Sequence, residues 1–581
     1  MYPRKIAFTT VLIALYFLAF VGFTYPLVTE FDKAFISEGG DGCIFVWNVY
    51  NFTENFHQSK PLFSTHRIYH PLGSSLILHV YAPVVGVIGL AVGNPILALN
   101  LAVLISSVLS GLGAYLLCNL YVKDRPLAAL AGFAFAYCPY KLMHIYGHYD
   151  LMLTATLPFF VLCFVRAFKP AQAGRLPTLS NKRNLITAFI LLAVTFFSSY
   201  YYTYFLMIFV VLYFAYFAMK IYDWSILNKK VILLSGIVVV ASSGLVGLMD
   251  SIALDKTGLA RNALRQSADA IAFFVPSAFS RFLGSGLVQH IRFDIIRGNE
   301  AESTVYVGYA VVVFAIGYLL ARQYREERRA EGRLISYMAG CYLVFAMPVV
   351  LVADRIICAL PTALIHYVPF INNFRVPYRH TIMLMLFVPI LACLFIKARL
   401  WPVIPKRLHV LVVSALMAIL FVEYVQRPYP MISRQDVPGV YEYLARQEDG
   451  VLIEIPFGLR DGFHAIGDER TVQMFYQTVH KKPILGGVVS RPGKEIFSFF
   501  EGAPIISDLI RMQQDSNWDP GPLTEEQKTV FLKTFDPRYV LIYPEYRKSR
   551  VAAYVETVVS DRIATRQDFG GFVLMTLRAG E

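Results

Sequence analysis

Residues 4–42, RKIAFTTVLIALYFLAFVGFTYPLVTEFDKAFISEGGDG, decide how the rest of the chain is read. The run 6–28 is long enough to cross a bilayer, and Arg4 and Lys5 hold its start on the cytoplasmic side. It is too long for a signal-peptide core and no small-x-small cleavage site follows it, so it reads as a retained signal anchor. The turn Gly39-Gly40-Asp41-Gly42 then emerges on the outer face, close to the membrane, with glycines that allow backbone and carboxylate to approach a ligand. A carboxylate there is either a solvated loop acid or a base able to deprotonate an acceptor hydroxyl.

Composition supports the membrane reading. Of 581 residues, 56% are hydrophobic and only 16% charged, and the mean hydropathy is +0.52. Soluble domains carry about 25% charged residues, so the chain is expected to be an integral membrane protein. The net charge of +13 suggests nucleic acid until the positions are read. Basic residues gather in short loops between apolar runs, where they set orientation, and no nucleic-acid partner is expected. The seven cysteines include no C-x-x-C pair and mostly lie inside apolar runs, which supports neither a disulfide framework nor a zinc site.

Apolar runs predict crossings at 6–28, 96–121, 127–140, 151–168, 185–199, 201–219, 231–249, 305–320, 334–352, 380–396 and 409–425. The run 76–93, containing His79, Tyr81 and Pro83, reads as re-entrant or interfacial. Alternation from an inside N-terminus makes segments 122–126, 166–184, 220–230, 321–333 and 397–408 cytoplasmic. All are rich in Lys and Arg, against the acids Asp124, Asp223, Glu326, Glu327 and Glu331. The predicted architecture is an α-helical bundle over 1–426 with about 11 transmembrane helices. Its outer loops are 29–95 and 250–304, with Tyr140–Asp150 and Asp354–Arg379 on the same face. Residues 427–581 form an extracytoplasmic α/β domain, with strands at 450–455, 538–543 and 570–577 and helices at 438–447 and 524–535.

Four polar stretches supply candidate site residues besides Asp41. In FINNFRVPYRH (370–380), Arg375 and Arg379 flank Pro377 at the outer entrance of a crossing, with Asn373 and His380 beside them. Paired guanidiniums there either anchor the helix end or grip a phosphate by forked hydrogen bonds, and the pairing favours phosphate. In HIYGHYD (144–150), His148 and Asp150 are candidates for substrate binding, for help to a metal, or for a place at the interface. The spacing of His144, His148 and Asp150 is too poor in ligands for a dedicated metal site. Glu300 and Glu302 border an apolar helix, where Glu302 can share a cation with Asp41, bind a sugar hydroxyl, or face the helix dipole. Tyr200, Tyr201, Tyr202 and Tyr204 fit an interfacial aromatic belt, and Asn51-Phe-Thr53 matches the glycosylation triplet.

Taken together, Glu38-Gly-Gly-Asp41-Gly, Gly147-His148, Arg375-Val-Pro-Tyr-Arg379 and Lys482-Pro-Ile-Leu-Gly-Gly-Val-Val-Ser-Arg491 resemble the GT-C superfamily of membrane glycosyltransferases, closest to its bacterial multi-pass members. The resemblance implies inverting transfer of a sugar from a polyprenyl-phosphate donor to a glycan, lipid or protein acceptor at the outer face of the cytoplasmic (inner) membrane. It also implies Asp41 as the base, and Arg375 and Arg379 on the departing lipid phosphate. A phosphate leaving group stabilised by arginines needs no cytosolic nucleotide. No cofactor is called for, and a divalent cation is left open. The Trp-Trp-Asp signature of oligosaccharyltransferases and the adjacent acid pair of protein O-mannosyltransferases are missing, which argues against asparagine-linked transfer and weakens a protein acceptor. The rival readings are a lipid-linked glycan transporter or flippase, and an outer-face glycan polymerase or ligase. A transporter predicts broken helices and repeated halves, and the sequence shows no inverted repeat.

Overall fold

A computed structural model describes residues 2–169, 176–221, 229–251, 258–321 and 326–578. Parts of the loops expected on the cytoplasmic side, Asp223 among them, lie outside these residues. The chain divides into two compact units. One comprises 1–29 and 102–429, and the other 30–101 and 430–581. Sequence reading placed 29–95 as an outer loop of the bundle and began the terminal domain at 427. In the structure residues 30–101 belong to the same unit as 430–581.

The first unit is helical. Five helices of the protein are long and apolar enough to cross a membrane among the described residues: Ala7–Thr24, Pro95–Val122, Tyr200–Met219, Pro377–Leu400 and Lys406–Tyr424. The apolar helices Thr156–Ala167, Gly236–Met249, Tyr309–Leu320 and Gly332–Ala346 are shorter, so the expected number of crossings is not reached on length alone. Local chemistry sets several ends. Asp124 caps Arg125–Ala136 by accepting from the Leu127 N–H at 3.1 Å, and Asn181 caps Lys182–Phe196 in the same way. Pro348 lies just past the helix Glu326–Ala346, within the crossing expected at 334–352. Proline cannot continue a helix, and the chain turns instead into the antiparallel strands Val349–Val352 and Arg355–Ala359. The stretch Tyr140–Asp150, expected as an outer loop, is a short helix Pro139–His144 followed by a 3₁₀ turn Tyr149–Met152, and both are buried.

The second unit is mixed. Its four-stranded sheet runs Ile563–Phe569, Phe572–Leu577, Pro537–Ile542, Val451–Ile455, with only the last pair parallel. Val451, Leu452, Ile453 and Ile455 are all buried. Each such side chain stabilises the fold by about 1.5–3 kcal/mol relative to exposure. A second sheet places Gly458–Arg460 between Ala465–Gly467 and Gly487–Val488. The early insertion adds the helix Asp41–His57, the apolar helix Pro83–Val92, and a strand Ala34–Ile36 paired antiparallel with Met431–Ser433. Trp47 Nε1 donates to Gln477 Oε1 at 2.5 Å, and the Asn48 amide donates to the Val80 carbonyl at 2.9 Å. These bonds fix the helix that begins at Asp41.

Candidate functional site

Asp41 is the first residue of its helix. Gly39, at φ +94°, turns the chain into it, and Gly40 is the N-cap. An acid in the first turn faces the positive end of the helix dipole, which favours its charged form. Asp41 Oδ1 accepts from Arg460 Nη2 at 2.7 Å, and the two side chains are 38% and 33% exposed, so the carboxylate is held yet reachable. Arg460 is itself held. Its Nε donates to Glu469 Oε2 at 3.0 Å, and the Thr471 hydroxyl, 3.3 Å from Nη2, donates to Glu469 Oε1 at 2.8 Å. Burial raises the Glu469 carboxyl above its ordinary range, against the lowering pull of Arg460.

In the same unit His79 is fully buried. The Ser490 N–H donates to its Nδ1 at 3.1 Å, leaving the proton on Nε2, which faces Asn48 Oδ1 at 3.2 Å. Burial pushes this imidazole down to about 4, so it is neutral and cements the Asp41 helix.

The helical unit carries a different cluster, centred on Glu302. Arg379 grips Glu302 with both Nε, 3.1 Å from Oε2, and Nη2 on Oε1. His144 Nε2 lies 3.0 Å from Oε2 and His148 Nε2 lies 3.4 Å from Oε1. His144 Nδ1 also meets the Tyr140 carbonyl at 2.6 Å, so both ring nitrogens are held. Burial opposes the charge on Glu302, but Arg379 and the two histidines outweigh it and hold the carboxyl well below its usual range. The Arg379 guanidinium stacks over the Tyr201 ring at 4.4 Å, and Arg375 acts electrostatically on the same tyrosine.

Asp150 joins this region through the Ser199 hydroxyl, 3.2 Å from its Oδ2, and burial raises its carboxyl against the pull of Arg379 and His148. Two other expected residues stand apart. Asn373 is exposed and bonds to the Phe370 carbonyl beside it. His380 is buried, with Nδ1 facing the Pro377 carbonyl and its ring against Phe205 at 4.1 Å. Among the described residues no group of three or more His, Cys, Asp or Glu is arranged to hold a metal ion.

Sequence reading therefore named Glu302, Arg379, His148 and Asp150, named His144 only in the spacing weighed for a metal, and did not name Ser199. It assigned Tyr201 to a belt and missed Arg460 and Glu469. Arg460 stands 419 residues from Asp41, and no spacing rule links positions so distant.

The apolar helices, with an ionised cluster buried beside them, define a membrane protein of many helices. Residues 10–423 match the family described as a domain of unknown function, DUF6311, and the chain belongs to that family. No curated protein matches the sequence. Similar solved structures include the oligosaccharyltransferase of Archaeoglobus fulgidus in its apo form, with 13% identity, a TM-score of 0.46, and coverage of 94% of this chain and 71% of that one. The arabinofuranosyltransferase AftD from Mycobacteria gives 12%, 0.49, 99% and 41%. ArnT from Cupriavidus metallidurans, bound to undecaprenyl phosphate, gives 11%, 0.45, 99% and 99%.

Proposed function

We propose that the chain is an inverting GT-C-type glycosyltransferase of the inner membrane, with its N-terminus cytoplasmic. It moves a sugar from a polyprenyl-phosphate donor to a glycan, lipid or protein acceptor at the outer face. The observation that carries this reading is the setting of Asp41: at a helix N-terminus, beside a guanidinium, and more than a third exposed. A general base must reach the proton it takes, and the exposed part of the Asp41 side chain supports that reading. The acceptor hydroxyl gives its proton to Asp41, its oxygen bonds to the anomeric carbon, and the carbon–oxygen bond to phosphate breaks with its electron pair leaving on the phosphate.

On the helical unit, Arg375 and Arg379 both act on Tyr201, and paired guanidiniums suit an anionic lipid headgroup. Arg379 is forked onto Glu302, which fixes the direction of its guanidinium, and Arg375 and Arg379 are both proposed for the departing lipid phosphate. Asp150, Asn373 and His380 are proposed for substrate positioning.

The test uses the whole chain in proteoliposomes with mannosyl-, glucosyl- and arabinosyl-phosphoundecaprenol as donors and an alkyl glycoside as the hydroxyl acceptor, following release of undecaprenyl phosphate. Asp41→Asn is expected to lower turnover by about 10²–10⁴-fold. Wild-type turnover in this variant overturns the reading. Arg375→Ala is expected to raise the donor KM with little change for the acceptor, and equal losses for both count against phosphate binding.

A further inference from the structure

We propose that Arg460, locked by Glu469, is the positioning residue that aims the Asp41 carboxylate; the inference rests on Asp41 acting as the base. Three observations converge on it. The first is the chain of contacts itself. Glu469 Oε2 takes Arg460 Nε at 3.0 Å, and Arg460 Nη2 gives a hydrogen bond to Asp41 Oδ1 at 2.7 Å. A guanidinium is planar and its donors are fixed relative to one another, so fixing Nε fixes the direction of Nη2. Thr471 braces both members, since its hydroxyl lies on Nη2 and donates to Glu469 Oε1.

The second is that the backbone of Arg460 is held by the segment that carries Asp41. The Tyr69 hydroxyl lies 3.1 Å from the Arg460 carbonyl and 3.2 Å from that of Gly487, joining two neighbouring strands to the 30–101 insertion. The Val489 N–H also donates to the Arg460 carbonyl at 3.2 Å. Arg460 is thus fixed at both ends, by main chain and by side chain, before any substrate arrives.

The third is a close backbone approach that exists only because a side chain is missing. A Cβ at Gly458 would stand 2.4 Å from the Glu469 nitrogen and 2.6 Å from its Cα. The segment bearing Glu469 can lie against the strand Gly458–Arg460 only with glycine there. What that approach secures is the position of the carboxylate that grips Arg460 Nε.

A plain surface ion pair requires none of this scaffolding. A base whose direction matters does, because a displacement of about 1 Å at a reacting group lowers rate by about 10²-fold. Arg460 is bonded to Asp41, so its effect is expected to fall on turnover through Asp41.

The experiment has two arms, both on the full chain. In the turnover assay above, Arg460→Met is expected to lower kcat by about 10²-fold with the donor KM within twofold of wild type. Arg460→Lys should recover part of the loss, and Glu469→Gln should give a smaller loss of the same kind. In the second arm, carbodiimide with glycinamide labels carboxyl groups and peptide mass spectrometry reads position 41. Arg460→Met should raise labelling at Asp41 several-fold, with a single cooperative thermal transition showing an intact fold. Wild-type kcat in Arg460→Met beside an inactive Asp41→Asn overturns this inference and leaves the proposed function standing. An active Asp41→Asn overturns the function itself. Equal labelling of Asp41 in wild type and Arg460→Met overturns the clamp whatever donor is used.

Discussion

Glu302 and Asp41 are both carboxylates gripped by an arginine, and their surroundings make them opposites. Glu302 is buried, forked by Arg379 and flanked by two histidines, so its charge is cancelled inside the fold. Asp41 has one named oxygen on a guanidinium and keeps more than a third of its side chain exposed. Burying an ion forfeits several kcal/mol of hydration, which only good geometry and extra hydrogen bonds repay. A half-exposed pair gives up little and gains little, typically about 0–1 kcal/mol. The first arrangement therefore bears on folding and the second on chemistry, although a list of acid–arginine contacts would rank them as equals.

The sharpest way to break this contrast is to remove one arginine from each. Arg379→Ala leaves Glu302 buried with histidines alone, and a loss of about 3–5 kcal/mol of stability is expected. Arg460→Ala leaves Asp41 exposed and takes one donor from the mostly buried Glu469, which keeps the Thr471 hydroxyl, so a smaller loss of about 1–2 kcal/mol is expected. Thermal unfolding of the two variants in the same detergent measures both. Equal losses would dissolve the distinction. Replacing Arg379 and Glu302 together by Met and Leu should restore part of what Arg379→Ala loses, because no charge is then left buried and unpaired.

The second prediction tests what a buried acid does without an arginine. Glu454 lies on the buried strand Val451–Ile455, with Oε1 taken by the hydroxyls of Tyr441 at 2.6 Å and Tyr543 at 3.1 Å. Burial raises its carboxyl to about 7, against the lowering effect of the two tyrosines. The folded state thus holds this proton more tightly than the unfolded chain, whose value is near 4.5. The stabilisation is fully present below about pH 4.5 and is lost as pH rises through about 7, a span worth on the order of 3 kcal/mol. The thermal midpoint should therefore fall between pH 5 and 8 in a component that Glu454→Gln removes. A midpoint that rises over that range by the same component in wild type and variant would sink the assignment.

Which parts of this were legible in the sequence follows from how far apart the interacting residues lie. The terminal strands at Val451–Ile455, Pro537–Ile542 and Phe572–Leu577 were readable because a short apolar run between turn residues is a local signal. The long apolar helices were readable for the same reason. The break after Ala346 was also written locally, in Pro348, but the apolar residues on either side hid it. The charged clusters were readable only in part. Glu302, Arg379 and His148 stood out as polar groups at the ends of apolar runs, yet nothing in their spacing joined them. Glu454 was invisible, because a single acid in a strand looks like the exposed face of an alternating pattern until both faces prove buried.

The smallest effect expected is the most specific to Asp41. Tyr69→Phe keeps the ring, which is wholly buried, and removes only the hydroxyl that spans the carbonyls of Arg460 and Gly487. The Arg460 carbonyl retains the Val489 N–H, so it is not left without a donor, and the stability loss should stay near 1 kcal/mol. Turnover should fall too, but by less than in Arg460→Met, since the guanidinium keeps Glu469 and loses only part of its backbone support. A stability loss with no change in kcat would make Tyr69 a packing residue and leave the side-chain lock as the whole of the Asp41 device. A kcat loss larger than that of Glu469→Gln would instead place the direction of Arg460 mainly in its strand, because the lock would then matter less than the backbone it hangs from.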